Sequence, residues 1–416
     1  MHPQTPDLSQ KIDATSDQVA YLPGWGQVDN TQFAGYASIY AGGSVPNCPG
    51  AVDEKLFYWF VGAEDYAKQP TILWTNGGPG SSSFWGFFIE NGPYAIDAET
   101  MQLSKREFAW NNYVNYMIVE HPLSVTLSVE QQTSDVPKTV EQGIEQLYQA
   151  LLNFFDLHPE IAANPIILAG ESYAGTYLPL LAQAILNGNK AGSRPLDLRL
   201  MVLCDAWVDP QVQMATNTDW AFSHGLISKA QKETLDKTYA GRLPEINDAI
   251  QKLCGCYMAN TAQTQDPPFQ PILDYLNDAA VREALHVPTH YPTIAQGWSQ
   301  LISDNYASRV NDSYAHVVEA LLDDASGLKV RVISGLNDAK DCNFLGTGAW
   351  LEKLQGGAAN AFHQATPQQW LDQQKNVVGF TQGKAQLGWL KVLNAGHMAP
   401  RDQPYLIQYI LDAYLN

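Results

Sequence analysis

The sequence predicts an α/β protein with a mostly parallel central sheet, helices on both faces and an inserted, mainly helical cap. Two observations predict this fold. Short apolar runs alternate with helical patterns along most of the chain, as is typical of parallel sheets covered on both faces. Residues 211–310 break this alternation with Trp, Cys and Pro clusters and no clear strand. We therefore expect a core in two parts, residues 1–210 and 311–416, with the cap or lid over residues 211–310 between them.

Strands are predicted where aromatic and β-branched residues cluster. They cover residues 33–40, 56–61, 70–75, 115–120, 165–169, 199–204, 328–334 and 388–394. The later strands are short and almost continuously apolar, which suits strands buried on both faces of a sheet. Helical patterns cover residues 138–157, 173–187, 228–238 and 402–415.

The acidic composition excludes some classes of partner. The 416 residues include 24 Lys and Arg against 43 Asp and Glu, which gives a formal net charge of −19. Nucleic acids and anionic membrane surfaces are bound by clustered Lys and Arg, so neither is expected as the main partner. No apolar run approaches the ~20 residues of a membrane-spanning helix. We expect neither a metal nor a cofactor.

The N-terminus and the cysteines leave the compartment open. The first twenty residues contain four charged residues and no continuous apolar stretch, so the chain as given shows no signal peptide. The chain has five cysteines, an odd number, so at least one is unpaired. Cys254 and Cys256 are too close in sequence to form a comfortable disulfide with each other. Disulfide pairing and oligomeric state remain open.

The most informative segment runs from Pro165 to Gly175. An apolar strand leads into Gly170-Glu171-Ser172-Tyr173-Ala174, and a helical pattern follows. This is the context of a nucleophile elbow, G-x-S-x-G, with Ala174 in place of the second glycine. The small flanking residues permit the tight turn that presents the Ser172 hydroxyl, and the helix start directs the N–H of Tyr173 at developing negative charge. The alternative is a serine in an ordinary strand-to-helix turn.

Three further loops complete a candidate site. The predicted strand 70–75 ends in a glycine-rich loop whose backbone can approach a ligand closely, and no Lys follows at the spacing of a phosphate-binding loop. In hydrolases that have a nucleophile elbow, the nucleophile is followed along the chain by an acid and then by a histidine. The loop after strand 328–334 offers Asp338 or Asp341, and the loop after strand 388–394 offers His397. Spacing alone does not choose between the two acids.

With these residues assembled, the sequence resembles the serine carboxypeptidase family, which has an α/β-hydrolase fold with a helical cap. The matching segments are TILWTNGGPGSSSFWGFFIENGP at 71–93, ILAGESYAGTYLP at 167–179, ISGLNDAKDCNFLGTGAW at 333–350 and VLNAGHMAPRDQP at 392–404. The resemblance covers almost the whole chain. If the chain given is a mature one, it implies a secreted, vacuolar or lysosomal protein; otherwise we expect a cytoplasmic one.

The resemblance implies a role for each matching residue. It implies Ser172 as nucleophile, His397 as base and Asp338 as acid. One extra residue before Cys342, relative to the family pattern, leaves Asp341 as a second candidate for the acid. It also implies an oxyanion hole from the N–H groups of Gly78 and Tyr173. A site for the substrate's C-terminal carboxylate would be formed by Asn76, Glu90 and Glu171, with Trp74 nearby. Trp85, Ile89 and Met398 are predicted to line the pocket for the leaving residue.

Four departures from the family pattern accompany these matches. Ser81 replaces a frequent disulfide cysteine, the loop 120–128 has lost its glycines, Cys204-Asp205 replaces Gly-Asn, and the predicted cap has few cysteines. The leading hypothesis is a serine exopeptidase acting on peptides, with activity favoured at acidic pH because the clustered carboxyl groups must hold protons. The alternatives are an acyltransferase, esterase or thioesterase acting on a small acyl substrate with the same triad, and a non-catalytic scaffold.

Overall fold

The predicted α/β-hydrolase architecture is present in the computed structural model, which describes residues 17–40, 53–192, 194–239, 243–340 and 342–416. The strands are β1 (Tyr21–Leu22), β2 (Gly26–Gln27), β3 (Gln32–Tyr40), β4 (Asp53–Val61), β5 (Thr71–Thr75), β6 (Tyr94–Ile96), β7 (Leu103–Lys105), β8 (Asn115–Val119), β9 (Ile166–Ser172), β10 (Leu198–Ala206), β11 (Lys329–Gly335), β12 (Gln368–Leu371), β13 (Val377–Gln382) and β14 (Leu387–Val392).

The helices lie mostly between these strands. They are α1 (Val140–Leu157), α2 (Ala174–Lys190), α3 (Pro210–Met214), α4 (Asn217–Ser223), α5 (Lys229–Thr238), α6 (Leu243–Cys254), α7 (Gln270–Asn277), α8 (Ala279–Ala284), α9 (Gln300–Tyr306), α10 (Ala315–Leu322), α11 (Phe344–Leu351), α12 (Gly357–His363), α13 (Ala399–Asp402) and α14 (Leu406–Leu415). A π-helical turn covers Gly86–Glu90. Among the helices described, none is both long enough and apolar enough to cross a membrane.

The large sheet has ten strands in the order β12-β13-β14-β11-β10-β9-β5-β8-β4-β3. The six strands from β14 to β8 are parallel, and an antiparallel pair of strands flanks them at each edge. All eight strands predicted from the sequence belong to this sheet. Because the central strands are parallel, their carboxyl ends meet at one edge, where the predicted site loops begin.

The core lies on both faces of the sheet, as the apolar runs predict. In β9, Ile166 and Leu168 are buried in one apolar cluster, whereas Ile167 and Ala169 are buried in the other. Successive side chains of a strand point to opposite faces, so a strand buried on both faces must be apolar at every position. Helices α1 and α2 cover the first of these faces.

Three sequence predictions need correction. Strands β12 and β13 were not predicted, because β12 at the sheet edge is mostly exposed and polar, and a glycine interrupts the short apolar stretch of β13, which pairs antiparallel with it. The helix predicted over 402–415 is α14, which begins only at Leu406. The preceding helix α13 ends at Asp402, before Pro404, because a proline disfavours helical geometry in the residue before it. The strand predicted over 165–169 continues to Ser172.

The described residues between β10 and β11 form the eight helices α3–α10 and contribute no strand to the large sheet. This agrees with the absence of strand patterns there. The boundaries of a separate cap at residues 211 and 310 remain a prediction.

Gly170 is required by the packing of β9 against β5. A Cβ atom at Gly170 would lie 2.4 Å from the carbonyl oxygen of Thr75 and 2.7 Å from Cβ of Ala174. We expect Gly170→Ala to lower the free energy of unfolding by about 1–3 kcal/mol, because the backbone must shift to relieve this overlap. Urea denaturation measures the change.

Gly357→Ala is the matched control for that substitution. Gly357 begins α12 and has open space around its Cβ position. Alanine there should leave stability unchanged or raise it by up to about 1 kcal/mol. Equal stability of wild type and Gly170→Ala would contradict the packing argument.

Candidate active site

Ser172 lies at the turn between β9 and α2. Its φ is +64°, in the left-handed region that residues other than glycine rarely adopt. The carbonyl oxygen of Ser172 accepts a hydrogen bond of 2.8 Å from the N–H of Trp207, which ties the turn to the end of β10. The serine is partly exposed. Such a backbone, held by its neighbours, is the strained turn that the G-x-S-x-A pattern predicts.

The glycine-rich loop after β5 lies directly against this turn. A Cβ atom at Gly77 would lie 2.2 Å from the main-chain nitrogen of Tyr173 and 2.8 Å from the carbonyl oxygen of Glu171. Gly78 has φ +106°, and a Cβ atom there would lie 2.7 Å from the nitrogen of Ser81. Only glycine fits at both positions. The two predicted N–H donors, Gly78 and Tyr173, therefore belong to adjoining backbone segments.

His397 and Asp338 are in contact. His397 Nδ1 and Asp338 Oδ2 are 2.8 Å apart, and the carboxylate is fully buried, whereas the imidazole is partly exposed. Asp338 Oδ1 accepts a hydrogen bond of 2.9 Å from the N–H of Lys340. Because a carboxylate only accepts hydrogen bonds, a neutral His397 carries its hydrogen on Nδ1 and keeps Nε2 as an acceptor. Asp341 lies outside the described residues, as does Cys48.

The loops that carry Asp338 and His397 are joined through their backbones. A Cβ atom at Gly335 would lie 2.1 Å from the carbonyl oxygen of Gly396, and the N–H of Asn337 donates to the carbonyl of Ala395 at 2.8 Å. Such close approach requires glycine at position 335.

A segment from the helical region, Met258–Thr261, also holds both loops. The N–H of His397 donates to the carbonyl of Ala259 at 2.7 Å, and the N–H of Ala339 donates to the carbonyl of Met258 at 2.8 Å. Sequence reasoning missed this segment. Its contacts are mainly main-chain hydrogen bonds, which almost every residue can form, so no motif marks it.

Asn76 bridges the two buried glutamates. Its Nδ2 donates to Glu90 Oε1 at 2.9 Å and to Glu171 Oε1 at 3.2 Å. Its Oδ1 accepts from Trp74 Nε1 at 2.9 Å and from the N–H of Gly86 at 3.0 Å. Because both of those groups can only donate, the orientation of the Asn76 amide is fixed. The structure thus brings together all four residues that the sequence predicts for carboxylate binding.

The two carboxyl groups cannot both ionise at low cost. Burial raises the pKa of Glu90, although hydrogen bonds from Glu171 and Asn76 oppose this. Burial raises the pKa of Glu171 well above its ordinary value, and the charge of Glu90 raises it further. The Oε2 atoms of both groups have no N–H or O–H donor among the described residues. A proton held by one carboxyl group and shared with the other stabilises the pair.

The predicted pocket residues lie on two elements that pack together. Trp85 and Ile89 belong to the segment that forms the π-helical turn, and Met398 precedes α13, which packs against that turn. The Trp85 ring lies 4.7 Å from the ring of Phe269, measured between centroids. Met398 Sδ accepts from Arg401 Nη1 at 3.6 Å. Sequence reasoning assigned no role to Phe269, which no motif marks, or to Arg401, although Arg401 lies in the matching segment 392–404.

The loop 120–128 keeps left-handed residues despite its lost glycines. Ser124 has φ +88° and Thr126 has φ +43°. The buried Glu120 holds this loop to the glycine-rich loop, because its carboxyl group accepts from the Ser82 hydroxyl at 2.6 Å, from the N–H of Ser83 at 2.7 Å and from the Thr126 hydroxyl. Burial raises the pKa of Glu120 to about 7.

Asp205, in the Cys204-Asp205 pair, is also buried beside the site. Its Oδ1 accepts from the N–H of Gly335 at 2.8 Å, and its φ is +38°. Burial and then the charge of Asp338 raise the pKa of Asp205 well above its ordinary value. Buried acids with a raised pKa thus accumulate around the site.

One group of described side chains has the spacing of metal ligands. Ligand atoms of Asp338, Cys342 and His397 lie within 4.8 Å of one another. However, the hydrogen bond between His397 Nδ1 and Asp338 Oδ2 uses two of the atoms that a metal would need. The geometry therefore favours a hydrogen-bonded acid and imidazole over a metal centre.

Comparisons with known proteins identify the family of this chain. A model of the family described as serine carboxypeptidase matches residues 23–266 and 256–416. Serine carboxypeptidase-like 47 of Arabidopsis thaliana is 28% identical over 409 residues, which cover 90% of this chain and 76% of the relative. Serine carboxypeptidase 3 of Hordeum vulgare is 29% identical over 424 residues, covering 92% and 78% respectively.

A solved structure has the same fold. It is Kex1(delta)p, a prohormone-processing carboxypeptidase from Saccharomyces cerevisiae, with a TM-score of 0.83 and 22% sequence identity over 97% of this chain and 96% of that one. The chain described here belongs to the serine carboxypeptidase family and is a serine-type hydrolase with the α/β-hydrolase fold.

The pKa of Glu120 predicts a pH-dependent stability. The native protein holds this proton up to about pH 7, whereas the unfolded chain releases it near the ordinary value of 4.5. The native state thus binds more protons between these values, so the stability associated with Glu120 is complete below pH 4.5 and falls as pH rises towards 7. Relative to Glu120→Gln, the wild type should lose up to roughly 3 kcal/mol over this range.

Urea denaturation of both proteins between pH 4 and 8 measures that difference. Substitution of the exposed Glu64 by Gln controls for the loss of one surface carboxyl group. A constant difference between wild type and Glu120→Gln across this pH range would show that Glu120 does not titrate as inferred.

Proposed function

We propose that this enzyme releases single amino acids from the C-termini of peptides through an acyl-enzyme formed on Ser172. The cluster of Asn76, Glu90 and Glu171 carries the proposal. It is a buried set of hydrogen-bonding groups beside the nucleophile turn, and Glu171 directly precedes Ser172 in the chain. A site that holds a terminal carboxylate next to the nucleophile selects the last peptide bond of a substrate.

Each step has a candidate residue. His397 takes the proton of the Ser172 hydroxyl as its oxygen bonds to the peptide carbon, and Asp338 stabilises the imidazolium through Nδ1. The N–H groups of Gly78 and Tyr173 stabilise the oxyanion. His397 then gives the proton to the leaving amine as the C–N bond breaks. Water, deprotonated by His397, hydrolyses the ester and restores Ser172.

Protonation of the glutamates explains how a negative substrate group binds beside them. A carboxyl group that keeps its proton donates an O–H to the substrate carboxylate, and charge-assisted hydrogen bonds of this kind are strong. Once the pair loses its proton, two negative groups face a third. Burial and mutual repulsion keep that proton bound to higher pH than usual.

The first prediction from the proposed function concerns KM. For a blocked dipeptide with a free carboxylate, KM should rise about tenfold or more between pH 5 and pH 8, because a charge-assisted hydrogen bond contributes about 1.5–3 kcal/mol. The same peptide with a C-terminal amide should bind weakly, with little change over this range. Glu171→Gln should flatten the dependence for the acid. A KM for the acid that is constant from pH 4 to 8 would refute the recognition model.

The second prediction concerns Asp338. We expect Asp338→Asn to reduce kcat by about 10³–10⁴-fold, because the amide stabilises the wrong imidazole tautomer and no imidazolium. Asp341→Asn is the matched control, and its kcat should stay within about threefold of the wild type. Steady-state kinetics on the blocked dipeptide measure kcat of both variants. A larger loss of kcat in Asp341→Asn than in Asp338→Asn would show that Asp341 is the acid of the triad.

The third prediction tests the reaction itself. A panel of blocked dipeptides should release free C-terminal amino acids, and Ser172→Ala should abolish both this release and labelling by an active-site serine reagent. Esters and thioesters of small acyl groups serve as comparison substrates. Turnover of the esters without release of amino acids would favour the acyltransferase or esterase, an alternative supported by the altered loop 120–128.

A further inference from the structure

Two thiols lie outside the proposed active site, at the end of α6. Cys254 is the last residue of this helix, Cys256 follows after one glycine, and both are partly exposed and unpaired. Gly255 has φ +67°, and its N–H donates to the carbonyl of Gln251 at 2.8 Å. This is the left-handed helix ending that glycine favours. The turn brings the chain back on itself, so that Cys256 lies against Cys254.

Short contacts join the two cysteines. The N–H of Cys256 donates to Cys254 Sγ at 3.2 Å, and the Cys256 thiol donates to the carbonyl of Cys254 at 3.7 Å. Burial and then the neighbouring Cys254 raise the pKa of Cys256 to about 11. Two adjacent thiolates repel each other, and a bound cation would remove this repulsion.

We propose that Cys254 and Cys256 together bind one thiophilic cation of the class of Cd²⁺, Zn²⁺ or Cu⁺. Thiolate ligands select such cations over Mg²⁺ and Ca²⁺. For a divalent ion, two metal–sulfur bonds form and the two S–H protons are released to solvent. The affinity therefore rises with pH.

The position of this site couples it to the proposed active site. The segment Met258–Thr261 begins two residues after Cys256, and its carbonyl groups accept hydrogen bonds from the main chains of Ala339 and His397. A cation that fixes Cys256 restrains the backbone leading into that segment. Occupancy should therefore change the position of His397. This coupling rests on the proposed function, whereas the binding site itself does not.

Titration of the reduced, full-length protein with Cd²⁺ tests the binding. The thiolate-to-cadmium absorption should saturate at one ion per chain, and Cys254→Ser and Cys256→Ser should each weaken binding at least tenfold. Cys48→Ser and Cys342→Ala are the matched controls and should retain it, and Mg²⁺ should not compete. Unchanged binding in Cys254→Ser or Cys256→Ser overturns the proposal. Loss of binding in Cys342→Ala also overturns it, because the ion would then lie beside Asp338 and His397.

Hydrolysis of a blocked dipeptide during the same titration tests the coupling. In wild type and in Cys48→Ser, kcat should change at least twofold in step with occupancy, and in Cys254→Ser it should not. Binding without a change in kcat overturns the coupling. Should the protein hydrolyse no peptide at all, the proposed function fails, while the absorption titration still decides the cation site.

Discussion

The sharing of protons between two buried carboxyl groups is the interaction on which the rest of the site depends. Asn76 donates to both glutamates, while Trp74 and Gly86 fix the orientation of its amide. Burial and mutual repulsion then keep protons on the pair to higher pH than usual. A pair in this state donates hydrogen bonds to a negative group, which two ionised glutamates could not do. In the proposed function, the acidic residues of the site thus act through their protons more than through their charge.

Precise placement of this pair beside the nucleophile follows from the fold. The parallel central strands end at one edge, and backbone contacts that only glycine permits lock the loops there: Gly77 against Tyr173, and Gly335 against Gly396. The N–H groups, the serine and the imidazole are therefore positioned mainly by main chain. In the loop 120–128, Ser124 and Thr126 adopt left-handed backbone angles without being glycine.

Sequence reasoning predicted the fold where physical patterns are strong and failed where they are weak. Strands buried on both faces, such as β9, must be apolar throughout, so they are visible as runs. The edge strand β12 is mostly exposed and polar, and a glycine interrupts the short apolar stretch of its neighbour β13. The segment Met258–Thr261 left no trace, because it contributes carbonyl groups. Glu120 lies in a loop that the sequence marked as altered, but its partners come from separate segments and appear only in the folded chain.

The proton exchange that accompanies carboxylate binding tests the protonation of the glutamate pair most directly. Ser172→Ala protein binds a blocked dipeptide without turnover, and calorimetry in buffers of different ionisation enthalpy counts the protons. We predict proton uptake for the free acid, approaching one per peptide as pH rises through the apparent pKa of the glutamate pair. The C-terminal amide, and the acid bound to a Glu90→Gln, Glu171→Gln variant, should show none. Binding of the acid with the same heat in every buffer across this pH range would contradict the central claim.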